Sequence, residues 1–353
     1  MKRSALILLA LLCFAVPASA RRHRRVVRHR TSHRRIVRRG ASRRPGLKPI
    51  PTPAIQPVRN IALFVAYGYD GADWATVRAA RPDGYTAWDR MPVTGVALPT
   101  GTGPWLSDAI GTMLATGIEG SAESLPPTLA GRAKQAGKSV ALVGAGDVTA
   151  ALPAFLAVAA RSESGTQTLG RLAANRFDAL FARSAPSDLN PSIDTLGYRV
   201  LVDPQAILMA ETMPVLATAS AGAVPFDTLA FRAIHLAAKN ARGFVLLVGA
   251  TKPDIGPVEF SAAATVALNY ARKDKRTLVL IALCEPQGDC LLYADGMSAR
   301  KFGGTLMLTD VPKILAGVAA IKGMPRNFSA LYFPRLAPQS PAPHGRGIVP
   351  LPW

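Results

Sequence analysis

Four short apolar runs, separated by helix-like stretches, constrain the fold of this chain more than any other feature. The runs span residues 61–66, 140–144, 244–248 and 277–283. Strands of a parallel sheet are buried on both faces and read as continuous apolar runs, while the helices between them supply the crossover connections. The pattern predicts an α/β fold, a three-layer α/β/α sandwich around a mostly parallel sheet.

A sheet of this kind also predicts where a ligand would bind. Ligands of open α/β sheets bind beyond the carboxyl ends of the strands. In this sequence those ends are predicted near Tyr67, Ala150, Gly249 and Cys284. The side chains around these four positions are therefore the first to consider for chemistry.

The two ends of the chain differ from its central part. Residues 1–20 combine a basic start with an apolar run over 5–16 and an A-x-A-like ending, which predicts a secretory signal peptide. A membrane anchor is the alternative, but the run is shorter than the ~20 residues that a span needs. We therefore predict export to the periplasm or the extracellular space. The other predicted segments are a basic arm with a Pro-rich linker over 21–57, a folded domain over 58–334 and a Pro-rich tail over 335–353.

Positive charge is concentrated in one segment. The formal net charge of the chain is +20, and residues 21–48 hold 13 arginine and lysine residues without any aspartate or glutamate. The segment has no aromatic residue and no helical apolar stripe, so it cannot bury enough surface to offset its ordering entropy, and disorder is predicted. Its charge fits a polyanion such as an anionic membrane surface, an envelope polymer or nucleic acid. A solvated tether without a specific partner is the alternative.

Three cysteines predict one disulfide. Cys13 lies in the predicted signal peptide, while Cys284 and Cys290 flank a segment whose proline and glycine favour a turn. An exported compartment permits a disulfide between these two cysteines. The alternative is a pair of soft metal ligands, but the predicted domain has no second Cys/His pair to complete a tetrahedral site.

Histidine is scarce in the predicted domain. Of the five histidines in the chain, only His235 falls within 58–334. A domain with one histidine cannot build a multi-histidine zinc site. His235 lies in an alanine-rich helical stretch, where its spacing does not suggest the geometry that catalysis requires.

Short segments along the domain follow one another in an informative order. They are residues 60–68 (NIALFVAYG), 91–95 (MPVTG), 107–117 (ending TMLATG), 136–149 (AGKSVALV, then VT), 243–254 with 277–281, and 310–312 (DVP). In this order they resemble the alkaline phosphatase family, from its opening strand through its nucleophile helix and metal loop to its closing motif. The resemblance runs from Asn60 to Pro312 and implies that family's fold.

The resemblance also implies roles for individual residues. In that family a serine attacks a phosphomonoester between two zinc ions, with a magnesium ion nearby and an arginine that holds the phosphate. Carried over by position, Ser107 corresponds to the nucleophile and Asp254 to a zinc-binding aspartate. Arg161 corresponds to the phosphate-binding arginine and Thr149 to a threonine beside the metal loop. A homodimer is a further implication of the resemblance.

The other ligand positions depart from the family's pattern. The resemblance implies a bridging aspartate where Tyr67 stands and a metal-binding glutamate where Gly249 stands. It implies zinc histidines at Val258 and Leu306 and an Asp-His pair at Cys284 with Glu285. Ala150 and Leu152 likewise lack the expected donors, and Leu106 replaces the aspartate before the serine. Two metal ions would stabilise both the attacking and the leaving oxygen, and without them Ser107 is an ordinary alcohol. We therefore predict a non-catalytic pseudophosphatase with a binding or scaffold role. No cofactor is expected, and an active form would need Zn and Mg.

Two other functions stay open. A divergent metal-dependent phosphomonoesterase or phosphodiesterase would use Ser107, Asp254 and one non-standard metal, and a shifted turn would bring Asp70 to the same ion. Alternatively, the function resides in the basic arm, and the domain is its cargo.

Ser107 also has a purely structural interpretation. It precedes Asp108 at the start of a predicted helix that Gly117 would end, so it fits an N-cap. A helix N-terminus attracts anions, so Ser107 and Arg161 together would hold phosphate or sulfate weakly.

Overall fold

The computed structural model describes residues 56–100, 106–119, 127–149, 151–158, 165–184, 197–220, 222–252, 254–286 and 288–325. The predicted signal peptide, the basic segment 21–48 and the tail over 335–353 lie outside these ranges. The described residues form a ten-stranded sheet with helices on both faces.

The strands of the sheet are numbered along the chain. They are β1 Asn60–Tyr67, β2 Val93–Leu98, β3 Ser139–Gly144, β4 Ala179–Ala182, β5 Arg199–Leu201, β6 Val215–Thr218, β7 Phe244–Thr251, β8 Thr277–Cys284, β9 Cys290–Gly296 and β10 Gly304–Met307. Their order across the sheet is β10-β2-β9-β8-β1-β7-β3-β4-β6-β5. Only β9 runs antiparallel to its neighbours, so the sheet is mostly parallel.

All four predicted apolar runs are strands, and they lie side by side as β8-β1-β7-β3 at the centre of the sheet. β1 pairs with β7 and β8 in parallel, with Tyr67 opposite both Thr251 and Cys284. Seven of its eight residues are buried. Burial on both faces explains why these strands read as unbroken apolar runs.

The helices form one layer on each side of the sheet. They are α1 Gly71–Ala80, α2 Ser107–Thr116, α3 Leu129–Gln135, α4 Ala151–Val158, α5 Gly165–Ala174, α6 Pro204–Leu208, α7 Phe226–Ala237, α8 Pro257–Lys273 and α9 Val311–Val318. Side chains of α2, α3, α4, α5 and α9 share a core with Leu63 of β1. Those of α1, α6, α7 and α8 share the opposite core with Phe64. The predicted three-layer α/β/α sandwich is therefore confirmed.

One predicted strand end is wrong. Gly249 was expected at the carboxyl end of its strand, but β7 continues to Thr251, and Gly249 lies inside the sheet. Its neighbour across the ladder is Gly144, the last residue of β3.

The helices in the described ranges all fall short of the length and apolarity that a membrane span requires.

Candidate functional site

The carboxyl edge of the central strands is the place where the predicted site residues should meet. Tyr67 ends β1 there, and α2 begins near it with Ser107. Burial of the phenol, followed by the negative charge of Asp108, raises the pKa of Tyr67. A phenol in this state stays protonated, so Tyr67 does not supply the charged oxygen that a bridging aspartate would.

Ser107 does not cap its helix. α2 begins at Ser107, its N-cap position is Leu106, and no side chain accepts a hydrogen bond there. The N-cap interpretation is therefore wrong, whereas the predicted end is confirmed, because Gly117 takes a left-handed conformation with φ of 74°. Asp108 turns its carboxylate back to the first turn, where Oδ1 accepts a 2.8 Å hydrogen bond from the Ala109 amide. A carboxylate in that position competes with any anion at this helix end.

A proline of α4 fills the space beside Gly249. A Cβ added to Gly249 would lie 3.1 Å from both the ring Cγ and the backbone nitrogen of Pro153. A Cβ added to Gly144 would lie 3.3 Å from the same ring. α4 contacts both β7 and α2, so it lies across the ends of the central strands. The glutamate that the family resemblance implies at position 249 has no room here unless α4 moves.

Two other ligand positions belong to the apolar core. Leu152 of α4 and Leu306 of β10 are fully buried and share one core cluster. Val258, by contrast, is 42% exposed in the first turn of α8. None of these three side chains has a donor atom for a metal.

Cys284 and Cys290 form the predicted disulfide. They face each other across the β8–β9 ladder and are both buried. The disulfide prediction is confirmed, and it removes the sulfur atoms from any metal-ligand set. Glu285, which follows Cys284, is exposed to solvent.

Asp254 lies in the loop between β7 and α8. It is exposed, accepts a hydrogen bond from the Thr251 hydroxyl, and its carboxylate packs against Gly146, where an added Cβ would meet it at 3.3 Å. Burial, followed by the charges of Asp254, Asp73 and Glu259, raises the pKa of Tyr69, whose hydroxyl donates to the Ile255 carbonyl at 2.6 Å. Tyr69 belongs to the core opposite the one that holds α2. No hydrogen bond or ion pair of the described residues joins Asp254 to Ser107.

Asp70 is occupied by a structural role. Its side chain caps α1 by accepting hydrogen bonds from the amides of Ala72 and Asp73, and Asp73 completes the capping box. Asp73 also pairs with Lys252 at 2.9 Å. The hypothesis that a shifted turn brings Asp70 to an ion beside Asp254 is therefore wrong.

Thr149 is also tied to a neighbour. Its amide and hydroxyl both donate to Asp147 Oδ1 at 2.8 Å. Arg161 and Ala150 lie outside the described residues, so the predicted phosphate-binding arginine stays a prediction.

A different arginine lies at this edge: Arg183, directly after β4, pairs with Glu259 at 3.0 Å. Sequence reasoning missed it because β4 has only four residues.

His235 has a structural environment, as its sequence context indicated. It occupies the last turn of α7, with Glu211 3.6 Å from its Nε2 and Phe231 stacked on its ring. The imidazole is therefore placed away from the carboxyl edge and offers Ser107 no general base.

The residues at the carboxyl edge do not fit the zinc and magnesium ions of the family. Within the described ranges, no three His, Cys, Asp or Glu side chains converge in a group that would hold a metal ion. Zinc sites require three or four nitrogen, sulfur or oxygen donors around one point. Leu152, Gly249, Val258 and Leu306 stand where the resemblance implies metal ligands, and none of these side chains offers a donor atom.

The fold resembles that of known phosphatases. No family model matches the chain, and no curated protein matches it. Among solved structures, alkaline phosphatase from the Antarctic bacterium TAB5 has a TM-score of 0.65 at 15% identity over 76% of this chain and 100% of its own. The cold-active alkaline phosphatase from Shewanella sp. has a TM-score of 0.64 at 16% identity, over 73% of this chain and 99% of its own. Alkaline phosphatase from Thermus thermophilus has a TM-score of 0.64 at 14% identity, over 76% of this chain and 93% of its own. At these identities the likeness shows an alkaline-phosphatase-like fold.

Proposed function

We propose that this chain is an exported protein of alkaline-phosphatase-like fold that has lost metal-dependent hydrolysis and serves as a binding or scaffold protein. The observation that carries the proposal is the contact between Pro153 and Gly249, because it replaces a ligand position with packed apolar structure. The buried Leu152 and Leu306 extend the same replacement. These substitutions delete donors rather than exchanging one donor for another.

The energetic consequence of that loss is large. A pair of metal ions stabilises the attacking and leaving oxygens and helps the nucleophile ionise, each effect contributing several kcal/mol. Every ~1.4 kcal/mol lost from transition-state stabilisation lowers the rate about tenfold. Without the two ions, and with no histidine beside Ser107 in the described part of the chain, turnover of a phosphomonoester is expected at the background rate.

A second candidate is a divergent phosphomonoesterase or phosphodiesterase that uses Ser107, Asp254 and one non-standard metal. Two observations favour it, because both side chains are open to a ligand. Asp254 is exposed, and the side chain of Ser107 makes no hydrogen bond with any described residue. Against it, Asp254 lies beside Tyr69 of one core, while the helix of Ser107 packs on the other. A single Mg²⁺ or Ca²⁺ held by so few oxygens would not reproduce a dinuclear zinc site.

Export and partners complete the proposal. The Cys284–Cys290 disulfide supports an oxidising compartment, periplasmic or extracellular, in agreement with the signal-peptide-like residues 1–20. The arm over 21–48 is proposed to contact an anionic surface or polymer, and a homodimer is proposed from the family resemblance. Weak phosphate or sulfate binding at Ser107 would depend on Arg161.

Metal analysis beside a phosphatase assay tests the proposal. We expect the purified protein to hold well under one equivalent of zinc, and its turnover of p-nitrophenyl phosphate with added Zn²⁺ and Mg²⁺ to equal that of Ser107→Ala. Ser220→Ala, an exposed serine beyond the end of β6, serves as the matched control. Zinc near two equivalents, with turnover abolished in Ser107→Ala and kept in Ser220→Ala, would establish the hydrolase instead.

A further inference from the structure

The opposite edge of the sheet carries a cluster of positive charge. Each of the four central strands is preceded at once, or after one glycine, by a basic residue: Arg59 before β1, Lys138 before β3, Arg242 before β7 and Arg276 before β8. The amino ends of adjacent parallel strands meet at one edge, so these four residues are brought together. They line a common cavity of about 320 Å³.

The charges in this cavity are not neutralised by carboxylates. Among the described residues, none of the four forms a salt bridge. Lys138 is 7% exposed, and its ammonium donates to the carbonyls of Arg59 at 2.7 Å and Arg242 at 3.1 Å. Asp274 lies close by, but its carboxylate accepts from Asn60, from the Thr277 hydroxyl and from the Arg276 amide. Burial, followed by the charges of Arg276 and Arg59, lowers the pKa of Lys138, which reflects a positive local field.

Two further cavities continue the basic surface. Ala136 and Ala320 line both the first cavity and a second of about 330 Å³, which adds Arg132 and Lys322. Gln135 joins the second cavity to a third of about 430 Å³, which adds Lys134 and Arg176. No aspartate or glutamate is among the described residues that line the three cavities, although Lys134 pairs with Asp178. We name this row of cavities the basic track.

Arginine side chains along the basic track indicate the kind of ligand that would fit it. Within the described residues, five buried side-chain polar atoms lack a hydrogen-bond partner, and three of them are the Nε atoms of Arg59, Arg132 and Arg276. Buried donors without acceptors are costly in a folded protein. These Nε atoms are themselves enclosed, as are those of Arg183 and Arg232 elsewhere in the domain. A ligand in the cavities would therefore bind the outer amino groups of the arginine side chains, whose planar donors match phosphate oxygens.

We propose that the basic track binds a linear polymer of phosphate groups. A row of three adjoining cavities, each with at least two positive groups, fits repeated anions better than one compact anion. The proposal concerns the folded domain alone and is independent of any chemistry at the carboxyl edge. It adds a second contact to the one proposed for residues 21–48, which end nine residues before Pro57 of the first cavity.

The test compares two charge-matched double variants of the full mature chain. Arg242→Gln with Lys322→Gln removes one arginine and one lysine of the track, both exposed and without side-chain bonds to described residues. Arg90→Gln with Lys252→Gln removes the same charges at positions that line none of the three cavities. Arg242→Lys with Lys322→Arg keeps the track's charge. Thermal unfolding checks that all three variants are folded.

Binding of long-chain inorganic polyphosphate is measured over a salt series. Each lost phosphate contact lowers the slope of log affinity against log salt by about 0.7 to 0.9, so the track variant should lose roughly 1.6 in slope and about twentyfold in affinity at 0.15 M salt. The control and the charge-keeping variant should stay near wild type. Equal losses in track variant and control, or an unchanged slope in the track variant, would overturn the proposal.

Two further probes separate the polymer from other ligands. Inorganic phosphate should bind far more weakly than polyphosphate, and phosphatidylglycerol vesicles should bind the track variant and wild type alike. Phosphate binding as tight as polyphosphate would replace the polymer track with a single-anion site. If the track variant loses vesicle binding but keeps polyphosphate binding, the edge contacts a membrane surface. Either result would refute the proposal that the basic track binds a phosphate polymer.

Discussion

Gly249→Ala tests directly whether α4 fills the position where the family resemblance implies a metal ligand. The added Cβ would meet Pro153 at 3.1 Å from its ring Cγ and backbone nitrogen and at 3.2 Å from its Cα. Two of these three atoms are backbone, so the contact is not relieved by turning a side chain. Gly249 also lies in the middle of a buried parallel ladder between Val65 and Gly144, which limits movement on the strand side.

Overpacking of this kind costs about 1 to 3 kcal/mol. For a domain of this size, each kcal/mol lowers the melting temperature by roughly 2 to 4 °C. Gly249→Ala should therefore lower the melting temperature by about 2 to 12 °C. Gly249→Glu should lower it further, because it would add a buried carboxylate to the same overpacking, and it should not create a zinc site.

Gly170→Ala provides the matched control for the same substitution in open space. Gly170 lies within α5, and a Cβ added there would meet no atom within 4 Å. Alanine is a better helix residue than glycine by about 0.5 to 1 kcal/mol, so Gly170→Ala should raise the melting temperature. Circular dichroism at 222 nm follows both transitions. If Gly249→Ala is neutral or stabilising while the control behaves as expected, α4 does not fill the site, and the argument for lost metal binding loses its main support.

Two other predictions concern the disulfide and the arm. Alkylation of unreduced, denatured mature protein should label neither Cys284 nor Cys290, and two labelled thiols would contradict the pairing. Replacing both cysteines with alanine should lower the free energy of unfolding in urea by about 2 kcal/mol, the value for a short closed loop. A form that starts at Pro49 should bind anionic vesicles more weakly and with a smaller salt slope than the mature chain, because residues 21–48 hold 13 basic residues. Unchanged affinity and slope would show that the arm is not the contact.

The sequence predicts the centre of the fold better than its margins. β8, β1, β7 and β3 were all predicted, because burial on both faces makes them continuous apolar runs. β4 and β6 were missed, since four residues are too few to separate from a buried helix segment. β9 was missed because it alternates buried and partly exposed residues, as an antiparallel strand with one open face does.

At the carboxyl edge, the sequence predicted which donors are absent but not what replaces them. Periodicity could not show that Pro153 lies on Gly249, since that contact depends on how α4 crosses the strand ends. The basic edge was missed for a different reason: the net charge of the chain is concentrated in residues 21–48 and does not show how charge is distributed over the domain. The signal was present in the sequence, because Arg59, Lys138 and Arg276 each lie within two residues of the start of a predicted strand.

The distribution of charge also bears on where this fold can hold a phosphate. At the carboxyl edge, the positive groups of Arg183 and Lys252 are paired with Glu259 and Asp73, while Asp108, Asp147 and Asp254 add negative charge. In a phosphatase such carboxylates bind cations, and the bound cations attract the substrate. Under the proposed loss of metal binding, the same carboxylates would repel a phosphate instead. We therefore expect an anionic ligand to bind at the amino edge. There, Arg59, Lys138, Arg242 and Arg276 line the first cavity without a salt bridge to any described residue, so phosphate would be recognised at the end of the strands opposite the carboxyl edge.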